Sequence, residues 1–309
     1  MYKKRKIRAE KKSDDNQENS SKSQINWFPG HMAKTRRKIK EILPLIDAVA
    51  EVVDARVPKS SRNPELRDII GDKPLIILLN KCDMADPAAT AEWIAHYSAA
   101  GIPAIALDCK TGKGISAFKD TVKNTLKNTL KSKLKAYEEK GMAGKPLRVM
   151  VVGIPNVGKS SFINRIAGNN RAKAENRPGV TRGNQWFTVD KQLELLDTPG
   201  VLWPKFEDKT VGEHLAFTGA VTDRILDTEW LAMQLLSLLS REYPEKITAR
   251  YGVELTDDSY ELLCRIGKKR SMMIRGGETD TERAANMLLE EYRNCKIGNI
   301  TLERAGNNA

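Results

Sequence analysis

Three short stretches of this chain carry residue types and spacings suited to phosphate and base chemistry. The first is Gly153-Ile154-Pro155-Asn156-Val157-Gly158-Lys159-Ser160-Ser161, a G-x-x-x-x-G-K-S element. It follows the apolar run Val149-Met150-Val151-Val152 and precedes Phe162-Ile163-Asn164-Arg165-Ile166, which reads as the start of a helix. Strand, loop and helix in that order are the setting of a phosphate-binding loop. Gly153 and Gly158 let backbone N–H groups turn toward phosphates, and the helix N-terminus adds its dipole. Pro155, Asn156, Val157, Gly158 and Ser161 fall within that cradle. Lys159 is placed to reach the β- and γ-phosphates, as a catalytic as well as a binding group, and the Ser160 hydroxyl to bind Mg²⁺.

The second is Asn80-Lys81-Cys82-Asp83, an N-K-x-D element behind the apolar run Leu75-Ile76-Ile77-Leu78-Leu79. An aspartate there can accept both the N1–H and the N2–H₂ donors of guanine, a pair that adenine does not offer on that edge. Lys81 would lay its methylene stem along the base, Cys82 lies within the same loop, and Asn80 would tie the loops together. Asp108-Cys109-Lys110, after Ala104-Ile105-Ala106-Leu107, would complete the base pocket. A backbone N–H near Cys109 would face O6, with the Lys110 stem on the base face. This triad departs from the Ser-Ala-Lys form usual in GTPases.

The third is Asp197-Thr198-Pro199-Gly200. Its aspartate can hold Mg²⁺ through water, and the Gly200 N–H can meet a γ-phosphate. Thr181, after Pro178-Gly179-Val180, reads as a switch I threonine whose hydroxyl binds Mg²⁺ only in the GTP state; a surface turn is the alternative. Val201 stands where Ras-like GTPases carry a water-orienting glutamine. A valine cannot orient water, so intrinsic hydrolysis should be slow until another group acts. Asn156 could help to bind K⁺ beside the phosphates, supplying charge much as an arginine finger does, or could simply stabilise its loop.

These motifs need elements to hold them. Residues 48–54, 75–79 and 104–107 read as buried strands, with helices near 62–70 and 86–100 between them. That alternation implies a parallel α/β sheet, in which ligands bind beyond the carboxyl ends of the strands. A lysine-rich helical stretch, about 114–139, leads back to the phosphate loop, and a strand pair spans 185–189 and 193–196. Beyond about Phe206 the β pattern stops. Helices are expected over 229–241 and 280–294, the latter with Thr279 and Glu282 at capping-box spacing and Ala285, Leu288, Leu289 and Tyr292 as its buried face. Upstream, Ile39, Ile42, Leu43 and Ile46 share one helical face behind Trp27-Phe28-Pro29-Gly30-His31-Met32-Ala33-Lys34. Lys34, Arg36, Arg37, Lys38 and Lys40 crowd the start of that helix, where basic charge opposes the dipole. They serve either a partner or a solvated face.

The chain has 309 residues, enough for two domains, and a net charge of +12 with a sequence pI near 9.4. Such charge points to a polyanionic partner, most simply nucleic acid, with an acidic membrane surface as the weaker alternative. No apolar run approaches a membrane span, and no apolar region follows the basic N-terminus as in a signal peptide. The cysteines Cys82, Cys109, Cys264 and Cys295 form no C-x-x-C pair, which fits a reducing cytoplasm and argues against a zinc or disulfide frame. Residues 1–24 are polar and basic and are expected to be disordered alone, as an RNA-seeking arm or a solvated tail.

The order of the motifs is unusual: N-K-x-D, D-C-K, G-x-x-x-x-G-K-S, Thr181, then D-T-P-G. In ordinary GTPases the phosphate loop comes first. This order, with the aromatic segment at Trp27–Lys34 and Asp54-Ala55-Arg56-Val57-Pro58, resembles the bacterial ribosome biogenesis GTPase A family (the YlqF type). The resemblance covers the chain from about residue 25. It implies a circularly permuted P-loop GTPase domain at 25–206, an α/β fold with a mainly parallel sheet, followed by an all-helical RNA-binding domain at 212–309. It further implies an enzyme that converts GTP to GDP, bound to the large ribosomal subunit and its rRNA late in assembly and stimulated by it. The chain is expected to be a cytoplasmic monomer that uses Mg²⁺ and, through Asn156, K⁺. Lys268-Lys269-Arg270 and Arg275 are the RNA-contact candidates; a solvated basic loop is the alternative. His31, beside a Pro-Gly hinge, is the candidate for the missing glutamine's role, against contact with rRNA or packing on Trp27. His96 is read as structural and His214 as a weaker catalytic candidate. The rival functions are a GTP-dependent RNA-binding switch, a signalling GTPase not dedicated to the ribosome, for which no lipid-anchor signal is present, and a P-loop ATPase, against which Asp83 argues.

Overall fold

The apolar runs form the strands they predict, and their pairing sets the edge on which every motif sits. The structure is a computed structural model that describes residues 36–37, 39–127, 131–132, 135, 146–168, 185–198, 208–221 and 227–306. His31, Thr181, Gly200, Val201 and the basic segment 1–24 lie outside the described residues.

Among the described residues six strands make one sheet: β1 (Ala48–Asp54), β2 (Leu75–Asn80), β3 (Ala104–Ala106), β4 (Leu147–Val152), β5 (Gln185–Asp190) and β6 (Leu193–Asp197). Their spatial order is β3-β2-β1-β4-β6-β5. All pairs are parallel except β5 against β6. Every residue of β1 and β2 is buried, because helices and loops cover both faces, and this is why these strands read as continuous apolar runs rather than alternating ones. The strand that feeds the phosphate loop, β4, lies between β1 and β6. Strands β1–β3, earlier in the chain, supply the base-motif side; β6 and β5, later in the chain, supply the other. The parallel register brings Asp54 opposite Asn80 and Asp197 opposite Val151, so the motif residues emerge at one edge.

Helices α1 (Leu66–Ile70), α2 (Pro87–Ala99), α3 (Ile115–Thr125) and α4 (Lys159–Ala167) accompany the sheet. The helix expected at 62–70 begins only at Leu66. Asn63 accepts the Glu65 N–H at 3.0 Å and donates its own N–H to the buried Glu51 carboxylate at 2.9 Å, holding the chain in a turn first. The long helix expected at 114–139 is described as α3, with further helical residues at 131–132 and 135. Gly114 starts it at φ +84, where a Cβ would stand 2.2 Å from the Ala106 carbonyl oxygen, so only glycine fits. Upstream, the helical turn through 39–42 becomes a 3-10 turn at Leu43–Leu45, since Pro44 cannot continue the α hydrogen bonding. Ile39 and Ile46 are buried there, and Ile42 and Leu43 pack beside them.

Beyond the sheet the described elements are helices: α5 (Lys209–Phe217), α6 (Thr228–Glu242), α7 (Pro244–Tyr251), α8 (Ser259–Lys269) and α9 (Thr281–Arg293). Leu231, Leu235 and Leu239 of α6 meet Leu262 and Ile266 of α8 and Ala285, Leu288 and Leu289 of α9 in a core separate from the two that flank the sheet. Helix α5 joins both regions: Leu215 packs on the sheet core, Ala216 and Phe217 on the helical one. Aspartates cap α5, α6, α8 and α9. For α9 this corrects the expected capping box. Asp280 accepts the Arg283 N–H at 3.1 Å, while the Thr279 hydroxyl faces the Cys264 carbonyl at 3.4 Å.

Candidate nucleotide site

Each loop at the carboxyl edge is held by its neighbour. Gly158 opens α4 at φ +94, and a Cβ there would lie 2.2 Å from the Asn80 side-chain nitrogen. The missing side chain lets Asn80, which is buried, donate to the Val157 carbonyl at 2.7 Å. The N-K-x-D loop and the phosphate loop are thereby clasped across 77 residues of sequence. Gly153 is required by close approach: a Cβ would meet the Val52 carbonyl oxygen at 2.6 Å.

Lys81 adopts a left-handed conformation, φ +61, and its ammonium donates to the Asp54 carboxylate at 2.9 Å and the Asn156 carbonyl at 2.7 Å. Its stem is therefore stretched across the edge and anchored at the far end. The Asp83 carboxylate is partly exposed, with the Lys110 ammonium 3.7 Å away. Cys82 donates its N–H to the Leu107 carbonyl at 3.0 Å, which stitches the loop to the end of β3. Asp108 is buried, and its two carboxylate oxygens accept the Lys110 N–H at 2.8 Å and the Thr111 hydroxyl at 2.6 Å. Burial opposes its ionisation, but those bonds outweigh it and hold the carboxyl below its ordinary range. Burial pushes the Cys109 thiol up to about 11, so the thiol stays neutral.

On the other side, Lys159 is buried at the start of α4 and its ammonium pairs with the Asp197 carboxylate from the end of β6. Ser160 and Ser161 follow on the exposed face of the first helical turn. Thr198 donates its hydroxyl to the Val151 carbonyl at 2.8 Å, fixing the chain just beyond Asp197. Asn156 sits at φ +62 and its amide donates to the Gly219 carbonyl at 2.7 Å, in the turn after α5. The phosphate loop thus touches the helical region directly. Ser160 and Asp197 offer hydroxyl and carboxylate oxygens, hard donors of the kind Mg²⁺ takes. The Asn156 amide oxygen, with its nitrogen held by Gly219, is a donor suited to K⁺.

Asp54-Ala55-Arg56, at the polar end of β1, has a physical role that its place in the sequence does not give. Asp54 receives Arg56 through both carboxylate oxygens, at 2.9 and 2.8 Å, besides Lys81. Burial would raise the Asp54 pKa, but the Arg56 and Lys81 charges outweigh it and hold it well below the usual carboxylate range. The folded state therefore binds fewer protons here than the unfolded chain. The stability so gained is present above the unfolded value near 3.8 and is lost as pH falls further. An acid titration of the unfolding free energy should steepen below about pH 4, and Asp54→Asn should flatten that limb.

His214 is corrected from a catalytic candidate to a buried structural one. Its Nδ1 lies 2.9 Å from the Glu303 carboxylate and 3.1 Å from the Ser60 hydroxyl. Glu303 also accepts the N–H groups of Lys59 and Ser60, at 2.6 and 3.1 Å. No local pattern announces this cluster, since its members are 154 and 243 residues from Ser60. His96 stacks edge-on against Trp93, ring centroids 5.4 Å apart, on α2.

A mainly parallel sheet with a G-K-S loop clasped to an N-K-x-D loop defines a P-loop GTPase, here with its motifs in permuted chain order. The family model described as 50S ribosome-binding GTPase matches residues 148–243. Ribosome biogenesis GTPase A of Priestia megaterium is 48% identical over 280 residues, covering 90% of this chain and 96% of that protein. The chain belongs to the ribosome biogenesis GTPase A family. Among solved structures, GDP-bound TM YlqF is 26% identical with a TM-score of 0.63, covering 87% of this chain and 100% of that one. GNP-bound YlqF from T. maritima is 26% identical with a TM-score of 0.58, covering 88% and 98%. The protein is a GTP hydrolase.

Proposed function

We propose that this GTPase binds the immature large ribosomal subunit and promotes a late step of its assembly, with hydrolysis stimulated by the subunit. The nucleotide half of this reading rests above all on the Asn80–Val157 clasp, which sets a guanine-selective loop beside a phosphate loop. The ribosomal half rests on the relatives' names and on the charge of +12. The division of labour is a GTPase domain at 25–206, an RNA-binding helical domain at 212–309 and a basic extension at 1–24. The protein acts as a cytoplasmic monomer. Lys268, Lys269, Arg270 and Arg275, at the end of α8 and in the following loop, face rRNA.

In this mechanism Asp83 reads guanine, while Lys81 and Lys110 flank the base beside Cys82, Asp108 and Cys109. The backbone from Pro155 through Ser161 surrounds the phosphates. Lys159 moves from Asp197 to the β- and γ-phosphates. Ser160, Asp197 and Thr181 would hold Mg²⁺, whose positive charge would offset the negative charge of the phosphates. Gly200 donates its N–H toward the γ-phosphate, and Asn156 would help to hold K⁺, which would supply further positive charge there. With Val201 unable to orient water, His31 takes that role when the subunit orders the N-terminal segment.

The deciding measurement is single-turnover GTP hydrolysis with and without purified large subunit, in K⁺ and in Na⁺. Strong stimulation is expected, with a further gain in K⁺. His31→Ala should lose about 100-fold of the stimulated rate while leaving GTP affinity intact. GTP bound tightly but hydrolysed at the same rate with or without the subunit would overturn the proposal. A salt-dependent RNA affinity that differs between GTP and GDP, without stimulated turnover, would favour a binding switch instead.

A further inference from the structure

The guanine-reading loop is held on its outer side by the far end of the chain. Met84 donates its N–H to the Lys81 carbonyl at 2.9 Å, closing residues 81–84 into a turn. The inner side of that turn is pinned by the Cys82–Leu107 bond. On the outer side, the Asn299 amide donates to the Asp83 carbonyl at 2.5 Å, and Ile300 donates its N–H to the Met84 carbonyl at 3.1 Å. The Cys295 thiol lies 3.9 Å from that same Met84 carbonyl. These contacts join positions more than 210 residues apart.

The segment that reaches over is itself firmly seated. Leu302 donates to the Arg56 carbonyl at 2.8 Å, and the Thr301 hydroxyl accepts the Asp86 N–H at 3.0 Å. The Trp93 indole donates to the Glu303 carbonyl at 3.0 Å, and the Tyr243 hydroxyl to the Thr301 carbonyl at 2.8 Å. The Lys246 ammonium caps the Asn299 carbonyl from α7. Asn299 is thus presented to Asp83 from a rigid mount on the helical region.

We infer that Asn299 is a positioning residue for guanine specificity, and that the helical region senses the base through it. The inference rests on the reading of Asp83 as the guanine-reading carboxylate. A two-point pair between a carboxylate and the base edge tolerates only small displacement, so whatever fixes the Asp83 backbone sets the discrimination. By linkage, a base that immobilises Asp83 must favour the docked segment by the same factor. This route to the helical region runs through the base side of the pocket. It is independent of the phosphate side, where Asn156 meets Gly219.

IDP is the probe, because hypoxanthine keeps N1–H but lacks the N2 amine that Asp83 would also bind. The ratio of IDP to GDP dissociation constants, measured on the full chain, reads that one contact. Asn299→Ala and the isosteric, donor-less Asn299→Asp should each lower the ratio about three- to tenfold, the worth of one modest hydrogen bond. A general structural loss would weaken GDP and IDP equally and leave the ratio unmoved, and that result overturns the inference. Asp83→Ala is the control: if it leaves the ratio unchanged, the base-pocket reading fails and this inference falls with it. Hydrogen exchange of the wild-type chain gives a readout without substitution. The Ile300 amide should be more protected with GDP than with IDP at saturation, and equal protection would count against the coupling.

Discussion

Asp83→Asn should turn a guanine-nucleotide protein into a xanthine-nucleotide one. The carboxylate offers two acceptors to the N1–H and N2–H₂ of guanine, whereas an asparagine amide offers one acceptor and one donor. Against guanine the new NH₂ meets another NH₂, so one bond is lost and two donors collide. Xanthine carries N1–H beside a C2 carbonyl, which matches the amide in both places. A site built to hydrogen-bond its ligand rejects a mismatched analogue strongly, and the ratio of GDP to XDP affinity should swing by about 1000-fold. The partial exposure of Asp83 makes the change sterically mild: its carboxylate lies 3.7 Å from the Lys110 ammonium, while its backbone stays held by Asn299. Direct calorimetric titration of the wild type and the variant with GDP and with XDP measures the swing. A variant that keeps the wild-type preference for GDP would show that another group reads the base, and Lys110 or the backbone beside Cys109 would be the next to test.

What could be read from the sequence was whatever is local. The strands at β1 and β2 announced themselves because burial on both faces leaves their interiors apolar save Glu51, which is bonded to Arg62 and Asn63, with Asp54 and Asn80 at their carboxyl ends. The phosphate loop and N-K-x-D were legible because backbone geometry and base chemistry each demand specific residues at fixed short spacing. Even the bond from Asn80 to the neighbouring loop follows from the motif. The α9 cap shows where local rules become ambiguous. Thr279 and Asp280 are adjacent capping residues, and the choice was made by tertiary packing: the Thr279 methyl sits where Gly267 has no side chain, 2.4 Å from a Cβ placed there. The Asp54–Arg56–Lys81 network, the Ser60–His214–Glu303 cluster and the seat of residues 295–304 left no trace in spacing. In the cluster Ser60 is 154 and 243 residues from its partners, and the seat meets the base loop from more than 210 residues away. A lone histidine or glutamate in a helix or tail looks the same whether buried or free. In the network Asp54 and Arg56 are near neighbours, but Lys81 joins them from the end of the next strand, 27 residues on. The permutation itself contributes to this. With the base motif first in the chain and the helical region last, contacts between them have the longest sequence separation the protein offers.

Arg56→Met should be the most damaging substitution to stability, because it removes one partner of a buried ion pair and leaves the other behind. Arg56 is 2% exposed. Its guanidinium grips Asp54 through Nε and Nη2, lies 5.4 Å from the Tyr292 ring centroid, and points Nη1 toward the Arg293 carbonyl at 3.4 Å. Burial alone would lower its pKa, yet the Asp54 charge outweighs that and raises it, which favours the charged form of Arg56. A methionine fills a similar volume but leaves the Asp54 carboxylate with Lys81 and its remaining backbone contact. Breaking a buried pair in this way costs about 3–5 kcal/mol. Arg56→Lys keeps the charge but neither the two-point grip nor the flat face over Tyr292, and it should recover only part of that loss. The site also predicts where the damage falls. Tyr292 and Arg293 belong to α9, so losing Arg56 loosens the helical region from the sheet as well as the base loop from its Lys81 anchor. Denaturant unfolding followed by tryptophan fluorescence and by far-ultraviolet circular dichroism should then give midpoints that separate in the methionine variant. Loss of the single joint transition would show that the two cores are coupled through this residue. A loss below about 1 kcal/mol with coincident midpoints would mean that the tail contacts around Glu303, rather than the Asp54–Arg56 pair, hold the two regions together.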